Sequence, residues 1–399
     1  MVVVRLLHTS DWHLGRLFHR ASLLDEQAAA MDRIVQIARE EGVHAVLIAG
    51  DLYDRSVPPA EAVELLDRTL AELHRAGVAV VAISGNHDSA VRLGFGDRLL
   101  NSVGVTLRGD LSRAGDAVEL RDAEGGPPVR VYPVPYLDPL VTAHLARGAD
   151  AGTDAGDTRR RFTHHDAMAW AMTRIRSDLA GAGAARSVVL AHTFVTGAEP
   201  SASERELSLG HVDQVAMSVF DEVDYVALGH LHRRQSFDNG RVVYSGTPLR
   251  YSFSEQRNRP SVELVDLSPD GSCSARRVEL QVGRGMCTIT GELEDLLSDR
   301  SLDDARNAWV RVVLTDRHLP LQAMRRLQRR FSHAVELSHE PPGFAADTAT
   351  AGRSARSASI DPLDLAGRFL TESRGVALDD AEHSVLASSF TEVLTGPRP

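Results

Sequence analysis

The sequence predicts an α/β protein: a sheet-based core flanked by helices, then a small α/β module, then a helical tail. Three observations predict it. Short apolar runs alternate with amphipathic stretches through the first half, which is the βαβ pattern. Five short polar signals each directly follow one of those apolar runs. Past residue 285 the alternation restarts on a smaller scale. At 399 residues the chain exceeds one ordinary core, so two or three domains are expected.

Residues 2–7 are β-branched and few. They lack the charged start, long apolar centre and small-residue cleavage site of a signal peptide, so they read as a strand. In residues 23–41, Leu24, Ala28, Met31, Ile34, Val35 and Ala38 fall near helical spacing. Residues 45–49 read as a buried strand. Residues 61–75 form a helix entered through Pro58-Pro59 and closed by Gly77, and 78–83 form a strand. A strand at 131–134 and a helix at 138–147 precede a Gly/Ala/Asp-rich loop at 148–157. A helix at 162–179, strands at 187–191 and 225–228, and closing strands at 242–244, 262–265 and 277–280 complete a larger domain, residues 1–283. The small module, 284–342, carries a strand at 309–315, a basic helix at 321–331 and a strand at 334–337. Residues 343–360 hold few large apolar groups and read as a flexible linker. Residues 361–399 carry two helical patterns, near 362–373 and 379–394.

Composition removes several classes. No run of ~18 apolar residues is present to cross a membrane. The two cysteines, Cys273 and Cys287, make neither a disulfide framework nor a thiolate metal site, and a reduced cytoplasmic protein is the expectation. The net charge of -11 argues against a phosphate-binding chain. That objection is softened because every basic residue is Arg, the better bidentate partner for phosphate, and because bound cations would raise the local charge.

The five signals are Asp11-Trp12-His13, Gly50-Asp51-Leu52-Tyr53-Asp54, Gly85-Asn86-His87-Asp88, His192 and Gly229-His230-Leu231-His232. Open α/β sheets place sites at the carboxyl ends of strands, so the five are expected to converge. Carboxylates, one amide and several imidazoles suit divalent metals such as Mn, Fe or Zn. A carboxylate has lone pairs enough to bridge two cations ~3.5–4 Å apart, and Asp51 is the expected bridge. Asn86 offers an oxygen without negative charge, which preserves a positive surplus for an anionic phosphate. The glycines before Asp51 and His230 suit a tight turn out of a strand.

This order of signals resembles the calcineurin-like metallophosphoesterases. The segments 224–236 and 244–256 narrow the resemblance to the SbcD family of bacterial nuclease subunits, which work with an SbcC-type ATPase. It runs from Met1 to roughly Val282 and continues more weakly beyond. The resemblance implies a two-sheet sandwich flanked by helices, a small capping domain, and C-terminal helices that dock on SbcC. It implies two divalent metals, most often Mn2+: one held by Asp11, His13, Asp51 and His232, the other by Asp51, Asn86, His192 and His230. His87 matches the family's catalytic histidine, and Asp88 is a candidate carboxylate to set its tautomer. The implied activity is two-metal hydrolysis of DNA phosphodiesters, by a 3′ to 5′ double-strand exonuclease and a single-strand or hairpin endonuclease. The implied setting is DNA end processing, repair and recombination by a nucleoid-associated homodimer. The sequence departs from the family at Ala191-His192-Thr193-Phe194 and at His211, which stands where a Gly is usual.

Two rivals stay open: a phosphoesterase of small molecules or phosphoproteins, and a non-catalytic scaffold whose metals are structural. The capping module and tail argue against the first, and the His87-Asp88 pair against the second. No Gly-x-x-x-x-Gly-Lys-Ser/Thr motif occurs, so ATP hydrolysis would come from a partner. Asp54 is open between supporting a ligand and acting as a helix N-cap. His192 alone could be a core histidine, and His211 reads as a loop residue. Trp12 reads as packing at the rim, with base stacking as the alternative. Arg325, Arg326, Arg329 and Arg330 share a helical stripe that fits either phosphate or solvent, and Arg159–Arg161 read as solvated.

Overall fold

The computed structural model of the chain describes residues 3–121, 126–149, 161–183, 185–201 and 214–342, and residues 379, 381, 382, 385 and 386. The described residues within 1–314 and 319–339 form one compact unit. Its main body is two stacked six-stranded sheets with helices on both outer faces.

The first sheet begins with β1 (Val4–Thr9), β2 (Ala45–Ile48), β3 (Ala79–Ile83) and β4 (Val105–Arg108). The second contains β5 (Val118–Leu120), β6 (Val129–Val134), β7 (Arg186–His192), β8 (Tyr225–Gly229), β9 (Gln235–Phe237) and β10 (Val242–Tyr244). The chain then returns to the first sheet with β11 (Ser261–Leu267) and β12 (Cys273–Glu279). The orders are 12-11-1-2-3-4 and 9-10-8-7-6-5. In each sheet four neighbouring strands are parallel, β1 to β4 in one and β6, β7, β8 and β10 in the other.

Side-chain alternation sorts these strands into layers. Leu6, Ala45, Leu47, Val81 and Ile83 face Val131, Val188, Leu190, Tyr225 and Ala227 between the sheets. The alternate residues, Leu7, Val46, Ile48, Val80 and Ala82, face outward under α1 (Leu24–Glu40) and α2 (Ala60–Arg75). On the far side, Val189, Ala191, Val226 and Leu228 pack under the helix His164–Gly181, which opens with a Thr163–Asp166 capping box. Polar contacts pin the sheets together. Buried His8 on β1 reaches the Tyr225 hydroxyl at 2.9 Å and the Leu228 carbonyl at 3.2 Å.

The restart past residue 285 is a parallel three-stranded sheet: β13 (Met286–Gly291), β14 (Trp309–Leu314) and β15 (Ala334–His339). Met286 and Trp309 are buried in the same apolar cluster as Leu7 and Ile34. The basic helix is shorter than its pattern suggested, Ala323–Gln328. Its stripe is half consumed internally: Arg326 pairs with Glu294 at 2.5 Å, and Arg330 with Asp303 at 2.9 Å. Four of these strands escaped the pattern reading, β4, β5, β9 and β13, and β12 starts four residues before the expected strand. Nearly all of the linker and tail, with His211, Arg159 and Arg160, lies outside the described residues.

Candidate metal centre

The structure brings all five signals to one place, at the carboxyl ends of β1, β2 and β3 from the first sheet and β7 and β8 from the second. The two edges meet closely. A Cβ on Gly229 would lie 1.9 Å from the Ala49 carbonyl oxygen, and one on Gly50 would lie 2.3 Å from His192 Nδ1. The glycines are therefore required by the approach of the two sheets, beyond their use in turning the chain. Backbone bonds fasten the first loop to the second: Asp11 N–H donates to the Gly50 carbonyl at 3.0 Å and His13 N–H to Asp51 at 2.9 Å.

Four candidate ligands adopt the left-handed backbone conformation that non-glycine residues rarely occupy: Asp11 (φ 53), His13 (φ 43), Asp51 (φ 52) and His230 (φ 100). Such strain persists only where surrounding structure over-determines it, and it gathers at functional sites.

The side chains are aimed by partners outside the cluster. His192 Nδ1 meets the Ala49 carbonyl at 2.9 Å, so it carries the proton there and leaves Nε2 facing Asn86 Oδ1 at 2.9 Å and Asp51 Oδ2 at 3.4 Å. His230 Nδ1 lies 3.2 Å from the same Asn86 oxygen, and its backbone N–H donates to both Asp11 oxygens at 3.1 Å. His232 Nδ1 is held by buried Glu255 at 2.8 Å. Asp11 also accepts from Ser10 Oγ at 2.5 Å. Gln27 and Tyr251 brace the backbone of the first loop through the His13 and Trp12 carbonyls.

Among the described residues three groups of possible ligands have donor atoms within 4.8 Å of one another: Asp11, His13 and His232; Asp11, Asp51 and His192; and His13, Asp54 and His87. His13 makes the strongest case for a cation. Its ring is buried, yet neither nitrogen has a hydrogen-bond partner among the described residues. Buried polar atoms are rarely left so unless something else satisfies them. The protonation states of His13 and His230 agree. Burial holds His13 well below its usual range. Burial and then the His192 charge lower His230 to about 3. Both rings are thus neutral, with lone pairs to offer. Burial works against charge on Asp51 also, but His192, His13 and His87 hold it well below the usual carboxylate range. Burial pulls His192 down, and the Asp51 carboxylate more than reverses this, to about 9. Asp11 is raised by burial. The residues present fit a divalent-metal site.

One expectation changes and two open readings close. Asp88 does not touch the His87 ring. Its carboxylate accepts the backbone N–H groups of Leu52 (3.1 Å), Tyr53 (2.9 Å) and Gly85 (2.9 Å), tying the second and third loops together. A carboxylate beside its neighbour in sequence can point elsewhere, and here three unpaired donors claim it. Burial, followed by the Asp51 charge, raises it to about 6. His87 Nδ1 instead meets the Asp54 carbonyl at 3.0 Å, and His87 N–H donates to Asp51 Oδ1 at 2.9 Å. Trp12 is fully buried, with its indole N–H on Thr9 Oγ1 at 3.0 Å, so base stacking is excluded. Asp54 is no helix cap, since α2 is capped at Pro59; its carboxylate lies 3.6 Å from His13 Nδ1 and 3.3 Å from Arg16. Sequence reading missed Glu255, Gln27 and Tyr251. Glu255 and Tyr251 fall within 244–256, one of the segments that carried the narrower resemblance.

Comparison with known proteins agrees with this geometry. Residues 4–234, well over half the chain, match the calcineurin-like phosphoesterase family. Residues 282–374 match the SbcD_C family, described as the type 5 capsule protein repressor C-terminal domain. Similar solved structures include the protein TT1561 of Thermus thermophilus, at 14% identity and TM-score 0.41, covering 70% of this chain and 100% of that one. A dimetal phosphatase from Danio rerio gives 14% identity and TM-score 0.40, covering 70% and 96%. GAP50, the anchor in the inner membrane complex of Plasmodium, gives 10% and 0.40, covering 86% and 98%. Among the described residues no helix is long and apolar enough to cross a membrane. The family hydrolyses phosphoesters with divalent metals. The chain belongs to the calcineurin-like phosphoesterase family, and its second match sets it among the SbcD-type members.

Proposed function

We propose that this chain is a DNA nuclease subunit that cleaves phosphodiesters with two divalent metals, Mn2+ by preference. It acts as a 3′ to 5′ exonuclease on duplex ends and as an endonuclease on single strands and hairpins, in DNA end processing, repair and recombination. The observation that carries the DNA reading is the SbcD_C match over 282–374, a second domain that a simple phosphatase does not need. The domain limits are 1–283 for the nuclease domain, 284–342 for the cap, 343–360 for a linker and 361–399 for helices that dock on an SbcC-type ATPase.

Asp11, His13, Asp51 and His232 would hold one metal, and Asp51, Asn86, His192 and His230 the other. When bound, such metals polarise phosphoryl oxygens and make water acidic enough to deprotonate near neutral pH. The chain's own contribution centres on His87. Its side chain is 34% exposed, whereas those of His13, His192 and His232 are buried. Its Nδ1 proton is committed to the Asp54 carbonyl, so Nε2, 4.0 Å from Asp51 Oδ2, is the nitrogen turned to the site. A proton at Nε2 is positioned to pass to the departing oxygen. Asn86 contributes its oxygen with no added negative charge, which favours an anionic substrate.

A second copy of the chain would dock on the short helices after the third loop, Ala90–Leu93 and Asp97–Leu100, where Val91, Phe95 and Leu99 are 86%, 86% and 79% exposed. Apolar groups so clustered and so exposed mark interaction surfaces. The working complex is placed in the cytoplasm, at the nucleoid.

The test is Mn-dependent degradation of an end-labelled duplex by the wild type and by His87→Ala. Cleavage by the wild type alone, with both proteins binding two metals, supports the reading. Hydrolysis of a small phosphodiester without DNA cleavage would transfer the site to the small-substrate rival.

A further inference from the structure

Five guanidiniums from three stretches of sequence line one pocket of about 290 Å³. Arg233 and Arg234 follow His232, Arg257 and Arg259 lie in the turn before β11, and Arg277 is on β12. In a chain of net charge -11 this is a local reversal of sign. Three of the five are neutralised: Arg233 by Glu199, Arg234 by Glu263 at 2.8 Å and Arg259 by Glu279 at 3.2 Å. Arg257 has no carboxylate partner among the described residues. Among the described residues Arg277 donates only to neutral acceptors, Ser261 Oγ at 3.0 Å and the Arg259 carbonyl. Two uncompensated positive charges therefore share the pocket.

The pocket is joined rigidly to the metal centre. His232, whose imidazole groups with Asp11 and His13, also lines the pocket. Behind it, the Thr247 N–H donates to the His232 carbonyl at 3.1 Å. Gly246, at φ +74, lies so close that a Cβ there would stand 2.8 Å from the His232 carbonyl oxygen and 2.9 Å from Arg234 N. The arginines thus keep a fixed offset from the residues that would hold metal.

We propose that this pocket holds a backbone phosphate of a polynucleotide strand, next to the phosphate under attack at the metals. The inference rests on the polynucleotide reading of the centre and names the residues that would distinguish a chain of phosphodiesters from a single one. Guanidiniums match phosphate oxygens in geometry as well as charge, and backbone phosphates fix a strand's register without reading its bases. Arg257 and Arg277 bind the phosphate; the three paired arginines shape the rim. A small phosphoester ends at the metals and does not reach the pocket.

The test uses the full chain, wild type and the double variant Arg257→Glu/Arg277→Glu. Both positions are exposed, so the fold is expected to be retained. Binding of a fluorescent single-stranded DNA oligonucleotide is measured by anisotropy across a salt series, alongside hydrolysis of bis(4-nitrophenyl) phosphate and cleavage of the oligonucleotide. The expected result is a rise in Kd of about tenfold or more and a fall in the salt slope of about one, with hydrolysis of the small diester within about twofold of wild type. Equal affinity and slope in the two proteins overturns the pocket while leaving the nuclease reading intact. Absence of DNA binding by the wild type overturns both. Weaker binding by the variant, with no DNA cleavage by either protein, upholds the pocket and removes the nuclease reading.

Discussion

His87 is oriented by the backbone of Asp54: its Nδ1 lies 3.0 Å from that carbonyl oxygen, while the adjacent Asp88 carboxylate turns away to three backbone N–H groups. Two residues side by side in sequence thus have separable jobs, one in the chemistry and one in holding loops. His87→Ala is expected to lower phosphodiester hydrolysis by about 10²–10⁴-fold while two metals still bind by calorimetry. Asp88→Ala is expected to lower the unfolding free energy by about 3 kcal/mol, because buried N–H groups lose their acceptor. Urea denaturation decides this, and a variant as stable as wild type would refute the loop-tying role.

Glu255 acts on the metal through His232. Its carboxylate accepts from His232 Nδ1 at 2.8 Å, and its other oxygen accepts the Tyr251 N–H at 2.8 Å. Groups that fix a ligating histidine typically tune metal affinity by about 10–100-fold. Glu255→Gln is therefore expected to weaken Mn2+ binding at one of two sites, read by titration calorimetry. Unchanged affinity at both sites would remove Glu255 from this role.

Divalent metal is expected to stabilise the fold. The centre buries Asp11 and Asp51 with unpartnered His13, all better satisfied with a cation present. Binding to the folded state alone stabilises by about 2.7 kcal/mol at a hundred times Kd. The melting temperature should rise with Mn2+ and fall with chelator. A melting temperature indifferent to both would contradict the assignment of these residues to metal.

The pairing of the sheet ends sets a steric prediction. Gly229→Ala would bring its Cβ against the Ala49 carbonyl, which is main chain and cannot step aside, so the variant is expected to be severely destabilised. Gly181→Ala, with open space around it, is the control and should be tolerated. Equal stability of the two variants would show that the sheets can part there.

Stability should fall in acid partly through His8. Burial lowers its pKa from the usual 6.5 to about 3. Between those values the unfolded chain binds a proton that the folded chain refuses. Stability is therefore intact above about 6.5 and declines as pH falls toward 3, by about 1.4 kcal/mol per pH unit for one such group. His8→Gln should flatten that slope by one proton's worth in urea titrations at several pH values. An unchanged slope would assign the acid sensitivity elsewhere.

Much of this protein was decided by local pattern. The parallel strands, their helices and the five polar signals at strand ends are legible because alternation, helical spacing and loop chemistry are properties of neighbouring residues. The lone His192 was legible for the same reason: it closes a run of apolar residues. The short edge strands β4 and β5 and the first half of β12 were not, since Val118–Leu120 and Cys273–Glu279 carry mixed, half-exposed residues whose strand state comes from pairing with a neighbour. The partners that aim the site were likewise invisible. Glu255 meets His232 from 23 residues away, the Ala49 carbonyl meets His192 from 143, and the five arginines converge from separate strands and turns. Which residues carry chemistry was written in short stretches of sequence. Which way each ring and carboxylate points was fixed only when two sheets packed face to face, because direction follows from hydrogen-bond partners that folding alone brings within reach.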